Sequence, residues 1–291
     1  ELKYIFITRL GIGVYDLEWW RLRQQLFEAF TFPSVSRFFA RSNVVWYLLI
    51  DSDIPVEVYE RLWGLADTLP PGSIRFSFVQ VPGQVQSAMQ MAIKGHCSPD
   101  ERVAVIPIDD DDAVGADFLD NADMAISSHR SEPCVISFSR GIAIDAPNAR
   151  CAELIYESKT GSTILFGRFD EVANIVTLPH QDWVPAGSAA GARVINDVVT
   201  PRQSVYTYHL QADGSYERRV SSLEPWTSLT NEDFEWFGID KARYEAWMVK
   251  SKSAKPAIGL TWFRCQAELR ELQQLATVSY THLTLPTTPY V

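Results

Sequence analysis

The chain has 291 residues, of which 46% are hydrophobic and 12% aromatic, enough to build the core of one large domain. Its formal net charge of −10 argues against a nucleic-acid-binding surface, because phosphate backbones are bound by clustered Lys and Arg. No stretch approaches the roughly 20 consecutive apolar residues of a membrane-spanning helix, and no signal peptide opens the chain, so we expect no membrane span.

The four cysteines are spaced neither as CxxC pairs nor as a cluster with histidines. They are Cys97, Cys134, Cys151 and Cys265. Unpaired thiols are typical of a reducing compartment, so we expect no disulfides and a cytoplasmic location.

The two ends of the sequence differ from the rest. The chain begins at Glu1 without a methionine, shortly before a strand-like run, so we expect a fragment that lacks little at its N-terminus. From Val278, the sequence VSYTHLTLPTTPYV contains no Lys, Arg, Asp or Glu and resembles a translated sequencing adapter. We therefore expect a single domain over residues 1–277 and a non-native tail over 278–291.

Strands and helices alternate along the first part of the sequence. Runs rich in β-branched and aromatic residues predict buried strands over 3–10, 44–51, 74–81 and 103–108. Apolar residues at helical spacing predict helices between them, over 16–30, through Leu62 and Leu65, and over 83–95. We expect Asp16 to cap the first helix and Pro33 to end it. This order is typical of an α/β fold with an open, mainly parallel, Rossmann-type sheet flanked by helices, whose ligands bind beyond the carboxyl ends of the strands.

The second part has a more irregular, mixed pattern. Short strand-like runs are predicted over 134–139, 152–157, 162–167 and 174–178. Helices are predicted over 115–129, 230–249 and 263–276. Thr230 and Asp233 fit a capping box at the start of the second of these helices. We expect residues 1–120 and 121–277 to be two halves of one domain that together form a cleft.

Four consecutive aspartates, Asp109 to Asp112, directly follow the fourth predicted strand. Two unit charges about 4 Å apart repel by about 1 kcal/mol even in water, so such a run is costly without a cation. A divalent ion is the simplest compensator, because carboxylate oxygens suit Mg²⁺ or Mn²⁺ and the ion can also bind the oxygens of a diphosphate. The alternative is a solvated acidic turn that caps the next helix.

The segments GQVQSAMQMAIKG and VAVIPIDDDDAVGADFL resemble the core of GT-A glycosyltransferases, in which a helix and a strand lead into a DxD motif. More narrowly, TRLGIG, WWRLRQQLFEAFTFPSV, WYLLIDSDIP and IDDDDAV together resemble a rhamnosyltransferase family of bacterial proteins, over residues 5–120. The resemblance implies a GT-A-like fold and a metal-dependent transfer of a sugar, rhamnose by the family's name, from a nucleotide-sugar donor to a glycan or other hydroxyl acceptor. It makes residues 1–120 the nucleotide-binding half and 121–277 the acceptor half, with Mn²⁺ or Mg²⁺ as cofactor.

The DxD resemblance assigns roles to the aspartates. Asp109 takes the first DxD position, near the ribose and the ion, and Asp111 takes the second, as a direct metal ligand. Asp110 joins Asp109 among the donor-binding residues, and Asp112 is a further carboxylate close to the ion or the acceptor. A register shifted by one, with Asp110 and Asp112 as the pair, stays open.

The same resemblance places three residues of other strands in the donor site. Asp51, at the end of the second strand, either binds the nucleobase or simply caps the next helix. Thr8 and Arg9, at the end of the first strand, would line the nucleotide pocket, with Arg9 donating to base or phosphate. Related transferases often have an Arg-Asn pair in the helix before the motif, where this chain has Met89 and Gln90, so no phosphate contact is expected from that helix.

Candidates for the remaining roles lie in the second half. GT-A enzymes commonly place a third metal ligand there, and His180 and His209 are the candidates, each with a purely structural role as the alternative. Asp182 is the candidate general base, because an inverting transferase needs a carboxylate to deprotonate the acceptor hydroxyl. Asp233 is its rival. Trp183 either stacks on a sugar or lies in the core.

Two other functions could use the same aspartates. Asp110, Asp112 and Val114 form the DxDxV of haloacid-dehalogenase-like phosphatases, but that motif closes the first strand of its fold and three strands precede it here. A non-catalytic module that binds Ca²⁺ or carbohydrate has no need of Asp51 and Arg9 at neighbouring strand ends. RLGIG is not a dinucleotide fingerprint, and no GxSxG or Walker lysine motif is present.

Overall fold

The predicted alternation of strands and helices is present in the computed structural model, which describes residues 2–14, 16–80, 82–98, 100–156, 161–178, 182–197, 199–210, 216–223 and 225–252. The strands are β1 (Lys3–Leu10), β2 (Val44–Asp51), β3 (Ile74–Val79), β4 (Arg102–Pro107), β5 (Ala113–Val114), β6 (Cys134–Phe138), β7 (Arg140–Asp145), β8 (Arg150–Ile155), β9 (Thr163–Arg168), β10 (Arg193–Asp197), β11 (Ser204–Tyr208) and β12 (Thr227–Ser228). The helices are α1 (Leu17–Ala29), α2 (Thr31–Ser36), α3 (Val56–Ala66), α4 (Val85–Lys94), α5 (Phe118–Ser127), α6 (Phe169–Val176), α7 (Trp183–Ala189), α8 (Tyr216–Ser221), α9 (Asn231–Phe237) and α10 (Lys241–Ser251). None of these helices is long and apolar enough to cross a membrane.

Seven strands form the central sheet, in the order β10-β6-β9-β4-β1-β2-β3. Six of them are parallel, and β9 is antiparallel to its neighbours β4 and β6. At the centre, Ile5 of β1 lies opposite Val45 of β2 and Val105 of β4. The fold is therefore α/β with a mostly parallel sheet, as predicted, and the carboxyl ends of the parallel strands share one edge.

Apolar clusters cover both faces of the central sheet. One contains Trp20 of α1, Leu62 of α3 and Phe118 of α5, and the other contains Ile93 of α4 and Trp183 of α7. Alternate residues of β1, β2 and β4 pack into opposite clusters, so these strands have no polar face. That burial is the reason why they are continuous apolar runs in the sequence.

A second sheet has the strand order β12-β8-β7-β11-β5. Its short strand β5 directly follows the aspartate run and pairs antiparallel with β11, with Ala113 opposite Val205. Helices α1, α9 and α10 pack with this sheet through a third cluster that includes Leu26, Phe237 and Trp247. The aspartate run therefore crosses from one sheet to the other, and residues distant in the sequence surround it.

Residues from both predicted halves build the central sheet. Strands β1 to β4 precede residue 120, whereas β6, β9 and β10 follow it. The helix predicted over 263–276 and the tail over 278–291 lie outside the described residues.

The strand predicted over 174–178 is wrong, because most of this segment belongs to helix α6. Val172, Ile175 and Val176 are buried against the central sheet at helical spacing. The backbone N–H of Arg168 donates to the Glu171 carboxylate at 2.7 Å, which fixes the start of the helix.

Pro33 does not end the first helix. Helix α1 begins after Asp16, whose carboxylate accepts from the Trp19 backbone N–H at 2.6 Å as predicted, and it ends at Ala29. Pro33 is the third residue of α2. In the first turn of a helix the missing N–H of proline removes no hydrogen bond, so a new helix can contain it.

Candidate active site

The candidate site lies at the edge of the central sheet where β1, β2 and β4 end. Asp51 closes β2, is fully buried, and accepts from the backbone N–H groups of Gly13 at 3.0 Å and Asp53 at 2.9 Å. It therefore ties the loop after β1 to the end of β2. Its predicted contact with the nucleobase stays a prediction.

Glycine is required in the loop after β1. Gly11 has φ +53°, and a Cβ there would lie 2.3 Å from the Trp20 ring. The Trp20 indole N–H donates to the Val14 carbonyl at 2.7 Å and holds the other end of the turn. The GIG sequence thus lets the chain turn sharply over the Trp20 ring.

Thr8 and Arg9, predicted together in the donor site, face different surroundings. The Thr8 hydroxyl is buried and accepts from the Trp46 indole N–H at 2.9 Å. The Arg9 side chain is 55% exposed, and its Nη2 lies 3.9 Å from Asp109 Oδ1. Arg9 and Asp109 therefore meet at the ends of β1 and β4.

The four aspartates do not face a common centre. The Asp109 side chain is 32% exposed beside Arg9. Asp112 is 1% exposed, and its Oδ1 accepts from the Thr207 backbone N–H of β11 at 3.0 Å. Asp110 and Asp111 are also buried. Only the first carboxylate of the run is substantially open to solvent.

Arg23 of α1 compensates the two central aspartates. Its Nη2 donates to Asp110 Oδ1 at 2.5 Å, and its Nη1 lies 2.9 Å from Asp111 Oδ2. The same Nη1 lies 2.9 Å from His209 Nε2, which is 2.8 Å from Asp111 Oδ2. We call Arg23, Asp110, Asp111 and His209 the Arg23 cluster. It is closed off from solvent, because the side chains of Arg23 and His209 are 9% and 0% exposed.

The pKa values of the two carboxyl groups in the Arg23 cluster shift in opposite directions. Burial raises the pKa of Asp110 to about 6, although the charge of Arg23 opposes the rise. Burial also raises the pKa of Asp111, but the charge of Arg23 and the hydrogen bond to His209 outweigh it and hold that pKa below its ordinary value. Among the described residues, Arg9, Arg23 and the Thr207 backbone N–H lie beside the aspartates and compensate part of their charge.

The described residues do not fit the predicted ion. Its predicted ligands were Asp109, Asp111, Asp112 and His209, with His180, which lies outside the described residues. Asp111 and His209 do meet, but the side chains of Asp109 and Asp112 pair elsewhere. In the part of the chain that the structure describes, no three His, Cys, Asp or Glu side chains are grouped to hold a metal ion.

The acceptor-side candidates do not belong to the Arg23 cluster. Asp182 is exposed at the start of α7 and makes no side-chain cap, and α7 packs on β6 and β10. Asp233 is buried, forms the predicted capping box with Thr230, and pairs with Arg202. Trp183 is 1% exposed and donates to the Leu178 carbonyl at 3.1 Å, so it belongs to the core.

Arg23 is the residue of this site that the sequence analysis missed. It shares one helix face with Trp19, Leu26 and Phe30, because these positions are spaced by four, three and four residues. A cation on the apolar stripe of a helix indicates a buried partner of opposite charge. That signal was present in the sequence but did not identify which carboxylates it meets.

Much of the site falls within one family match. A family model described as “Putative rhamnosyl transferase” matches residues 12–181, more than half of the chain. The chain belongs to this family. The matched range includes Arg23, Asp51 and the whole aspartate run, whereas Arg9 and His209 lie outside it. A separate comparison of this rhamnosyl transferase family member with curated proteins gives no match.

Solved structures resemble this member of the rhamnosyl transferase family at low identity. Residues 1–349 of S. aureus TarS match with 13% identity and a TM-score of 0.39, over 72% of this chain and 62% of that one. The same fragment in complex with UDP-GlcNAc matches with 12% identity and a TM-score of 0.42, over 89% and 74%. The mannosyltransferase PcManGT from Pyrobaculum calidifontis, in complex with GDP-Man and Mn²⁺, matches with 10% identity and a TM-score of 0.44, over 94% and 75%. The chain thus spans less than two thirds of the first of these structures.

Proposed function

We propose that this chain is a glycosyltransferase that moves a sugar, rhamnose by the family's description, from a nucleotide-sugar donor to a hydroxyl acceptor. The family match carries the proposal, because it covers helix α1, the strand end at Asp51 and the whole aspartate run. The exposure of two of the five predicted donor-binding residues supports it. Arg9 and Asp109 are exposed at the sheet edge, while Thr8, Asp51 and Asp110 are buried.

Arg9 and Asp109 offer the two kinds of polar contact that a nucleotide-sugar needs. The guanidinium presents N–H donors that suit diphosphate oxygens, and the carboxylate accepts hydrogen bonds from ribose hydroxyls. When the bond between the anomeric carbon and the diphosphate breaks, negative charge develops on the leaving group. A cation at this edge would stabilise that charge, and Arg9 is the cation that we propose.

Asp182 is the base that we propose for the acceptor hydroxyl. It is exposed and is not used to cap its own helix, so its carboxylate is open to an approaching hydroxyl group. Asp233, its rival, is committed to the capping box and to Arg202. Deprotonation of the hydroxyl by a carboxylate as the new bond forms is the step that an inverting transfer requires.

A bound Mn²⁺ or Mg²⁺ would neutralise the diphosphate leaving group. Asp111 and His209 are the predicted ligands that come together, but they contact each other directly, and Arg23 Nη1 lies 2.9 Å from both. We therefore assign no step of the proposed reaction to an ion.

The other two candidate functions have no support from the geometry. A phosphatase needs Asp110 as an exposed nucleophile, whereas this side chain is 5% exposed and held by Arg23. A Ca²⁺ or carbohydrate module would use the central carboxylates directly, and Asp110 and Asp111 face Arg23 instead.

A cytoplasmic location also belongs to the proposal. Cys97, Cys134 and Cys151 are free thiols, as in proteins of reducing compartments. Burial raises the pKa of Cys134 to about 11 and that of Cys97 above its ordinary value, which keeps both thiols protonated and slow to oxidise.

The test is a screen of nucleoside diphosphate sugars, rhamnose donors included, with release of the nucleoside diphosphate measured in the presence of hydroxyl acceptors. We expect turnover with one class of donor and a loss of about tenfold or more in kcat/KM for Arg9→Met. Arg21→Met is the matched control, because Arg21 is 60% exposed and pairs with Glu57. A folded chain that neither turns over nor binds any donor in the panel would contradict the proposal.

A further inference from the structure

The position of Arg23 is incompatible with an ion held by Asp111 and His209 on the same side. The Asp111 oxygen and the His209 nitrogen are 2.8 Å apart, and Arg23 Nη1 lies 2.9 Å from each. An ion ligated by both atoms at about 2.1 Å on the Arg23 side would lie about 1 Å from Nη1. The guanidinium and the ion therefore exclude each other.

Arg23 is held in this position by more than one contact. Its second nitrogen donates to Asp110 at 2.5 Å, and its guanidinium lies 5.7 Å from the centroid of the Trp19 ring. The His209 ring in turn lies edge-on to Trp247 of α10. Packing from two helices thus surrounds a cation that already has two carboxylates as partners.

From this exclusion we propose that Arg23 takes the place of a divalent ion in this chain, so that the donor binds without metal. Arg23 is a positioning residue: it pairs with both Asp110 and Asp111 and leaves Asp109 and Arg9 as the groups that meet the donor. The inference deepens the proposed function and rests on it for the identity of the ligand. The exclusion of the ion by Arg23, however, can be tested without any donor.

The first test is titration of Mn²⁺ alone, followed by electron paramagnetic resonance of the free ion. We expect no binding to the wild-type chain at millimolar Mn²⁺, and about one ion bound per chain in Arg23→Met, because that variant frees the Asp111 oxygen and the His209 nitrogen, 2.8 Å apart, to share an ion. Arg23→Lys keeps the charge and Arg21→Met leaves the Arg23 cluster intact, so neither should bind Mn²⁺. Circular dichroism identifies variants that are folded.

Three results would overturn the inference in this titration. They are submillimolar binding of Mn²⁺ by the wild-type chain, binding by Arg21→Met equal to that by Arg23→Met, and no binding by a folded Arg23→Met. If Arg23→Met does not fold, the wild-type and Arg23→Lys titrations still decide, since both must be free of bound Mn²⁺.

The second test is calorimetry of the donor panel with the wild-type chain in EDTA and in Mn²⁺. We expect the same Kd within twofold under both conditions, and a donor that binds more than tenfold tighter with Mn²⁺ would overturn the inference. A panel in which no donor binds under either condition contradicts the proposed function instead. The Mn²⁺ titration of Arg23→Met is unaffected by that outcome, so the two failures are distinguishable.

Discussion

Asp110 and Asp111 share one arginine, yet their pKa values move in opposite directions. Burial raises the pKa of Asp110 from its ordinary value of 3.8 to about 6. For Asp111, the charge of Arg23 and the hydrogen bond to His209 outweigh burial, and the pKa falls. Asp110→Asn and Asp111→Asn are therefore matched variants. Each replaces one buried carboxylate beside Arg23 by an amide of nearly the same shape.

The opposite shifts predict opposite effects on stability. Between about pH 4 and pH 6 the folded state binds more protons at Asp110 than the unfolded state does, so the free energy of unfolding falls as the pH rises. A pKa raised from 3.8 to about 6 corresponds to about 3 kcal/mol across this window. Asp110→Asn removes that loss and flattens the profile. Asp111 stabilises the fold above its unfolded-state pKa, so Asp111→Asn should lower the free energy of unfolding at pH 7.

Urea unfolding followed by circular dichroism, repeated at intervals between about pH 4 and pH 8, measures both profiles. The expected result is a flatter profile for Asp110→Asn and a less stable protein at neutral pH for Asp111→Asn. Two variants with the same profile, or a flatter profile for Asp111→Asn alone, would refute the assignment of Arg23 as their shared counter-ion.

Three further substitutions test the loops around the site and the proposed base. Asp51→Ala removes the acceptor of two backbone N–H groups and should lower the free energy of unfolding by about 3 kcal/mol. The control Asp53→Ala, at an exposed position, should lower it by less than about 1 kcal/mol. Equal losses would contradict the role of Asp51 in joining the loop after β1 to the end of β2. Gly11→Ala places a Cβ against Trp20 and should cost about 3 kcal/mol in urea unfolding, whereas Gly72→Ala, with positive φ but open space, should cost about 1 kcal/mol. Asp182→Asn should lower kcat by about 100-fold with KM nearly unchanged in steady-state assays, and a kcat near that of the wild-type chain would remove it as the base.

The strands could be predicted because burial on both faces leaves a plain signal. β1, β2 and β4 contact apolar clusters on both sides, and their sequences are almost uninterrupted in apolar residues. The alternation with helices then fixes which ends of the strands share an edge. Asp51 and Asp109 could therefore be placed at one edge from the sequence alone.

The partners of the aspartates could not be predicted in the same way. Electrostatics requires a compensating charge, but Arg23 is 87 residues from Asp110 in the sequence, and its approach depends on how α1 packs between the two sheets. The pairing of Asp111 with His209 likewise depends on β11 lying beside β5, and β11 was not predicted. A run of like charge indicates that a cation is needed without indicating whether the protein supplies it.

The claim that Arg9 and Asp109 receive a nucleotide-sugar is tested most directly by saturation-transfer NMR of the donor panel with the wild-type chain in EDTA. We predict transfer to the ribose and anomeric protons of at least one donor, with the signal lost in Arg9→Met and Asp109→Asn and retained in Arg21→Met. Transfer that is absent for every donor, or that survives unchanged in both edge variants, would contradict the account.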